Sequence, residues 1–139
     1  MQSPDCVYCQ PKSEAVLWSD ARCRVLHVTD TGFAGFCRVV WNDHICEFTD
    51  LDEAARAHVI KVVAAVESAQ RKLLAPDKIN IASLGNVVPH LHWHVIPRYR
   101  DDSHYPDPIW AAPRRRSAPR RLPGDLPARM KEAIDAALG

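Results

Sequence analysis

The sequence contains no long apolar run and almost no net charge. Its longest apolar stretch, residues 59–66, is interrupted by Lys61, so no segment is expected to cross a bilayer. Residues 1–5 include neither the basic nor the apolar region of a signal peptide, which favours the cytoplasm as the location. A formal net charge of +1 in 139 residues argues against a globally basic nucleic-acid binder. We therefore expect one globular domain that binds neither membranes nor nucleic acid.

Glycine is scarce, with five residues against eleven prolines, and the five cysteines are an odd number. Because no export signal is visible, a disulfide framework is not expected. Cys6 and Cys9 form a C-x-x-C pair that Pro4 and Pro11 bracket. A redox pair of this spacing normally opens a helix, so the flanking prolines favour a metal pair; two ordinary reduced thiols are the other alternative. The remaining cysteines, Cys23, Cys37 and Cys46, are expected to be core or surface residues.

The predicted secondary structure is a series of short strands interrupted by one long helix. Apolar residues spaced three and four apart from Ala55 to Leu73 predict an amphipathic helix, with a cap at Thr49-x-x-Asp52 and a stop at Pro76. Asp125 is expected to cap a second one. This order predicts an α+β fold with an antiparallel β-meander sheet. The predicted elements are strands at 15–19, 22–28, 36–41, 79–84 and 90–96, helices at 50–75 and 126–138, and an irregular segment at 101–124.

Three of the seven histidines lie within five positions, in alternation with apolar residues. Side chains of a strand point alternately to its two faces, so His90, His92 and His94 are expected to share one face at intervals of about 6.6 Å. The row indicates either a metal site or nucleophilic catalysis by one imidazole. A single catalytic ion held by all three is less favoured, because the row extends over about 13 Å. The intervening residues, Leu91, Trp93 and Val95, are expected to face the core.

The run from His90 to Ile96, HLHWHVI, matches the His-φ-His-φ-His-φ-φ signature of the histidine triad (HIT) superfamily, and Pro97-Arg98 continues it as in many members. The chain resembles a bacterial-type HIT protein over residues 6–100, in motif and in element order. This resemblance implies an HIT-like fold for residues 1–100. Residues 101–139 are expected to form a Pro/Arg-rich tail and a C-terminal helix that pack on the same domain. Family members commonly dimerise by extending the sheet, so a homodimer is expected.

The resemblance also implies an activity at the α-phosphate of a nucleotide. Its substrate would be a dinucleoside polyphosphate, a nucleoside phosphoramidate or a similar phosphoanhydride. His92, the central histidine, would attack phosphorus and form a nucleotidyl-histidine, while His94 would steady the phosphate or the leaving group. His90 completes the catalytic triad. The residues expected to contact substrate are Asn86, Ser83, Asp30 and Arg98.

Zinc-containing members of the family bind the ion through a C-x-x-C pair, a histidine before the long helix and the first histidine of the triad. The matching residues here are Cys6, Cys9, His44 and His90. A Cys₂His₂ set closes the coordination sphere, so the resemblance implies a structural zinc. If His90 is a ligand, one triad member is structural and two are catalytic.

Two positions depart from the family pattern. Many relatives carry a further histidine in a Pro-Gly-His segment where this chain has Ala34-Gly35-Phe36. Relatives also place Asp or Asn at the position of Val28 to hold the ribose, and Asp30 is the candidate substitute. These changes favour the alternative of a non-catalytic nucleotide- or zinc-binding module.

Five arginines stand within eight positions of the tail, with no acid among them. Such a run can clamp a polyphosphate, a nucleic-acid end or an acidic partner, because guanidinium binds phosphate in a bidentate manner. The alternative, which we favour, is a solvated tail spaced by prolines. The residues are Arg114, Arg115, Arg116, Arg120 and Arg121.

Overall fold

A five-stranded antiparallel sheet with two helices on one face forms the framework of the computed structural model. It describes residues 2–139, and Met1, the first residue of the predicted domain and of the N-terminal segment, lies outside the described residues. The predicted α+β class is confirmed. In chain order the elements are β1 (Val16–Ser19), β2 (Cys23–His27), β3 (Cys37–Trp41), a 3₁₀ turn (Phe48–Asp50), α1 (Glu53–Leu74), β4 (Lys78–Ala82), β5 (His92–Arg98) and α2 (Leu126–Leu138).

The strands lie in the order β1-β2-β3-β5-β4, and every neighbouring pair is antiparallel. The first three form a meander, in which Asp20 closes the β1–β2 turn by accepting hydrogen bonds from the backbone N–H groups of Arg22 and Cys23. The last strand, β5, then enters between β3 and β4. Because β5 is hydrogen-bonded along both sides, its side chains stand on a rigid support.

The sheet buries one face under α1 and α2. One valine from each of β2, β3 and β5 packs against an apolar stripe of α1 that includes Val59, Val62 and Val66. Three residues of α2, spaced four apart, belong to the same core cluster. Leu91, Trp93 and Val95 lie in this cluster, as the alternation predicts. The α2 residues are Leu126, Met130 and Ile134.

The helix boundaries follow local capping chemistry. The Asp52 side chain accepts a hydrogen bond from the Ala55 N–H at 2.8 Å, and α1 ends at Ala75 in the left-handed conformation, directly before Pro76. The predicted start at residue 50 is three residues early, because residues 48–50 form a separate turn closed by Glu47 and Asp50. Asp125 precedes α2, but its side chain makes no capping hydrogen bond. Neither helix is both long and apolar enough for a membrane crossing.

The other face of the sheet carries the polar residues and is called the site face below. It carries Arg24 of β2, Arg38 of β3 and both histidines of β5. In the strand register Arg38 lies opposite His94, and Val40 lies opposite both Arg24 and His92. Residues 2–15, which precede β1 and are called the N-terminal segment, cover one part of this face. There Cys6, Tyr8 and Cys9 pack on Leu26 and Val40.

The irregular tail between β5 and α2 contacts the site face on the side away from the N-terminal segment. Its arginine run is neither a free clamp nor fully solvated, because three of the five side chains have partners within the chain. Arg114 pairs with Asp107 at 2.7 Å. Arg115 donates to the carbonyl oxygens of Asp102 and Tyr105, and Arg120 pairs with Asp101 and stacks on Tyr99. The charge run therefore fixes the path of the tail.

Candidate active site and metal centre

Two histidines lie side by side on the site face in the middle of the sheet. The ring centroids of His92 and His94 are 4.9 Å apart, at an angle of 81°, and both side chains are buried. His90 precedes β5 instead of opening it, because its backbone N–H turns back to the carbonyl of Val88. The triad is thus split into a pair on the strand and one residue before it.

The His92 ring is held by a short hydrogen bond. Its Nδ1–H donates to the carbonyl oxygen of His90 at 2.6 Å, and this bond leaves Nε2 with its lone pair. Burial lowers the pKa of His92, against the effect of the bond to His90, and the positive charge of Arg38 lowers it further. A neutral, oriented imidazole is the form that a nucleophile requires.

His94 takes the opposite tautomer. The Nε–H of Arg38 points at His94 Nδ1 over a long 3.5 Å contact, so the proton of the neutral ring lies on Nε2. Burial lowers the pKa of His94 to about 4, and His92 and Arg38 add to the effect. The edges of Phe36 and Trp110 enclose the ring at centroid distances of 5.7 and 5.1 Å. His94 is therefore a neutral N–H donor beside the lone pair of His92.

A second cluster lies next to this pair. The Sγ of Cys6 is 3.2 Å from His90 Nδ1, and the Sγ of Cys9 is 3.3 Å from His44 Nδ1 and 3.5 Å from His90 Nδ1. The four donor atoms lie within 4.8 Å of one another. A tetrahedral zinc, with bonds of about 2.3 Å to sulfur and about 2.0 Å to nitrogen, separates its ligand atoms by roughly 3.3–3.8 Å. The donor set and its spacing fit zinc.

The tautomer of His90 suits a ligand. Its Nε2–H donates to the carbonyl oxygen of Trp41 at 2.5 Å, which leaves Nδ1 free and directed at the two thiols. Such a bond from the far ring nitrogen is the usual support of a metal-bound histidine. The Tyr8 ring, at 5.6 Å from His90 and 5.0 Å from His92, separates the cluster from the histidine pair.

The structure distributes the predicted substrate-contact residues unevenly. Ser83 donates to the carbonyl oxygen of His92 at 2.6 Å and so supports its backbone. Asn86 is exposed in the loop between β4 and β5, and Asp30 is exposed in the loop between β2 and β3. Arg98 is 1% exposed and bound to Asp102 and Asn80. Its guanidinium is committed to internal partners, so we give it a structural part.

The sequence analysis missed three residues around the histidine pair. Arg38 lies between Cys37 and Val39 in a predicted strand. Because side chains of a strand point alternately to its two faces, the sequence could have placed Arg38 on the face opposite these two residues, which is the site face. Tyr8 lies between the two cysteines in sequence, so its position beside the histidine pair follows from the position of the cysteines. Trp110 comes from the irregular tail, where no local pattern indicates what it contacts.

Comparisons with known proteins agree with this architecture. A family model described as HIT domain matches residues 10–101. No curated protein sequence matches the chain significantly. Among solved structures, the chain is similar to a histidine triad protein from Bradyrhizobium japonicum, with 25% identity over 94% of both chains and a TM-score of 0.72. It is also similar to a histidine triad protein from Marinobacter aquaeolei VT8, with 27% identity over 90% of this chain and 88% of that one and a TM-score of 0.68.

A third solved structure is a zinc-bound histidine triad family protein from Mycobacterium smegmatis. It shares 20% identity with this chain over 95% of this chain and 94% of that one, with a TM-score of 0.65. At this identity the likeness shows the fold alone.

Proposed function

Because this chain belongs to the HIT family, whose members generally bind nucleotides, we propose that its histidine pair hydrolyses or transfers a nucleotide at the α-phosphate. The substrate would be a dinucleoside polyphosphate, a nucleoside phosphoramidate or a similar phosphoanhydride. One observation carries the proposal: the hydrogen bond from His92 Nδ1 to the His90 carbonyl, which presents the Nε2 lone pair of a buried, neutral ring.

The proposed reaction has two displacements at phosphorus. His92 Nε2 donates its lone pair to the α-phosphorus while the bond to the leaving group breaks, and the leaving group departs with the electron pair of that bond, as an oxyanion or as an amine that takes a proton from water. The Nε2–H of His94 stabilises the charge that develops on the neighbouring oxygen or nitrogen. Water or another acceptor then attacks the nucleotidyl-histidine, loses a proton and releases His92 as a neutral imidazole.

Trapping the covalent intermediate tests this reaction. We expect that brief incubation with diadenosine tetraphosphate, followed by a quench at high pH, yields a peptide with residues 90–97 that carries one adenylyl group by mass spectrometry. His92→Ala should give no adduct, and His104→Ala, altered at a histidine outside the pair, should give as much as the unaltered chain. Absence of an adduct and of any turnover of phosphoanhydrides by the unaltered chain would exclude the enzyme.

The proposal includes a structural zinc held by Cys6, Cys9, His44 and His90. The distances in this cluster support it, and so does the zinc-bound relative from Mycobacterium smegmatis. When bound, the ion supplies a crosslink between the N-terminal segment and the segment before β5. His90 would then connect the zinc site to the nucleophile, because its ring faces the thiols and its carbonyl oxygen accepts a hydrogen bond from His92.

A second candidate function is nucleotide or zinc binding without catalysis. Phe36 and Val28, which occupy positions that are polar in many relatives, are buried together with Ile96 in an apolar cluster. This cluster adjoins His94 and offers no polar group to a ribose. The binding module predicts nucleotide affinity without turnover or adduct, so the same trapping experiment separates it from the enzyme.

We also propose that the chain forms a homodimer. In the sheet of residues 2–139, β1 and β4 are the two edge strands, and Ile81 and Leu84 are exposed at the β4 edge. A second copy would cover these side chains and extend the sheet. Sedimentation equilibrium tests the proposal, and Ile81→Lys is expected to shift the mass to that of one chain.

A further inference from the structure

Three arginines stand on the site face, one on each of the three inner strands. They are Arg24 of β2, Arg38 of β3 and Arg98 of β5. A guanidinium keeps its charge at every relevant pH, and burying it without a counter-ion is unfavourable. Each of these side chains therefore needs an anionic or strongly polar partner.

Two of the three have a carboxylate partner within the chain. Arg24 pairs with Glu14 at 2.9 Å and also donates to Asn42 and to the carbonyl of Tyr8. Arg98 pairs with Asp102 at 2.8 Å and is hydrogen-bonded along both arms of the carboxylate. Both guanidinium groups have a counter-ion within the chain, and their roles are structural.

Arg38 differs, because no carboxylate in residues 2–139 forms an ion pair with it. Its neighbours are neutral. Its Nε–H makes the long contact to His94, its guanidinium carbon lies 5.3 Å from the centre of the Phe36 ring, and it faces the Tyr8 hydroxyl. A half-buried cation thus lies directly across from His94 without a counter-ion.

We propose that Arg38 is an anion-binding residue of this site and that its missing counter-ion is a phosphate group of the ligand. The inference rests on the proposed function in naming that group as the α-phosphate of a nucleotide. The side chain stands on β3 opposite His94, so a phosphate at the histidine pair lies within reach of its terminal N–H groups. Guanidinium and phosphate match in charge and in bidentate geometry.

This placement also gives Phe36 a part in the site. The Phe36 ring supplies no hydrogen bond, but it packs under the Arg38 guanidinium and against His94. The positive charge that faces the phosphate comes from Arg38, two residues further along the chain, on the site face of β3. Arg38 thereby touches the substrate itself, instead of acting through another residue.

Calorimetric titration with AMP and with adenosine tests the inference, because only AMP carries the phosphate. We expect Arg38→Gln to weaken AMP binding at least tenfold and to leave adenosine binding unchanged. Arg38→Lys, which keeps the charge but loses the bidentate geometry, should weaken AMP binding by a smaller factor. Arg116→Gln removes an equal charge from the exposed tail and should bind both ligands as the unaltered chain does. A purely structural role of Arg38 would weaken AMP and adenosine equally.

The inference and the proposed function fail in different ways. If AMP affinity changes less than twofold in Arg38→Gln, or if the unaltered chain binds neither AMP nor inorganic phosphate, the inference is overturned. If binding of AMP or of phosphate depends on Arg38 but no adenylylated His92 forms and no phosphoanhydride is turned over, Arg38 stands as the anion site and the enzyme proposal fails. Should Arg38→Gln not fold, Arg38→Lys decides, with a loss in AMP affinity of at least threefold and adenosine unchanged as the supporting result.

Discussion

His90 and His92 are joined by a 2.6 Å hydrogen bond from the Nδ1–H of His92 to the carbonyl oxygen of His90. The same His90 directs its ring at Cys6 and Cys9. One residue therefore belongs to both clusters, through its side chain in one and its backbone in the other. We expect a loss of order at the cysteines to reach the ring of His92 through this bond.

Zinc binding is expected to depend on both cysteines of the C-x-x-C pair. Metal analysis of the purified chain should give one zinc per chain, and Cys6→Ser or Cys9→Ser should lose it, because thiolate is the ligand that the closed site requires. Cys46→Ser changes a thiol that is exposed and should retain the ion. Stoichiometric zinc in Cys6→Ser would refute the ligand set.

Removal of zinc is also expected to slow formation of the adduct on His92. A chelator should free the N-terminal segment, whose Tyr8 ring packs on both His90 and His92, and so loosen the orientation of the nucleophile. The measurement is the rate of adenylylation before chelation, after it and after zinc is restored. An unchanged rate in the zinc-free chain would show that the two clusters are independent.

Both clusters illustrate what a local pattern can predict. The alternation around His92 and the spacing of Cys6 and Cys9 are local: the first indicated either a metal site or nucleophilic catalysis, and the second favoured a metal pair. The environment of His94 is not local, because Arg38, Phe36 and Trp110 reach it from another strand and from an irregular tail. Periodicity indicates which face a side chain takes, but not which tail segment will cover that face. Arg98 was predicted to contact substrate, whereas it is bound to Asp102, which lies in a turn beyond the strand.

Phe36→His is expected to destabilise this chain. Phe36 is 1% exposed in an apolar cluster with Val28 and Ile96, so at least one nitrogen of the imidazole would be buried without a hydrogen-bond partner. An unsatisfied buried polar group costs roughly 1–3 kcal/mol, and the lost apolar burial adds to this. Urea unfolding measures the change. Phe36→Leu, which stays apolar, is expected to cost about 1–1.5 kcal/mol, and equal stability of Phe36→His and the unaltered chain would contradict the argument.

Asp102→Asn is expected to cost about 3–5 kcal/mol of unfolding free energy, because it leaves the buried guanidinium of Arg98 without its counter-ion. Burial disfavours the charged form of Asp102, but hydrogen bonds from Arg98 and from the backbone of His104 and Tyr99 outweigh it and lower the pKa to about 2. Denaturant unfolding at neutral pH measures the cost. The exposed pair of Asp107 and Arg114 provides the control, since solvent screens it and Asp107→Asn should change the stability far less than Asp102→Asn.

The ion pair of Asp102 and Arg98 also predicts how the stability of the fold changes at acid pH. The folded pKa of Asp102 lies below the ordinary value of about 3.9, so its contribution is fully present above pH 4 or so and is lost as the pH falls towards 2. The unaltered chain should lose more stability over this window than Asp102→Asn, which has no carboxyl group to titrate. Equal losses in the two chains would show that the pair does not govern acid unfolding.

His94 is expected to stay neutral far below the ordinary histidine range. Burial lowers its pKa to about 4, so an unfolded chain, with a histidine pKa of about 6.5, takes up this proton first. Stability is therefore lost as the pH falls from about 6.5 towards 4. Trp110 covers the ring while remaining 52% exposed itself, and Trp110→Ala should raise the pKa of His94 by admitting water. An NMR titration of the histidine Hε1 signals measures the pKa of His94 in the unaltered chain and in Trp110→Ala. Trp18→Phe, which alters a tryptophan beside α2, is the control and should leave this pKa unchanged. A midpoint near 6.5 in the unaltered chain would mean that the site admits protons freely, and His94 would then be a cationic donor to phosphate instead of a neutral one.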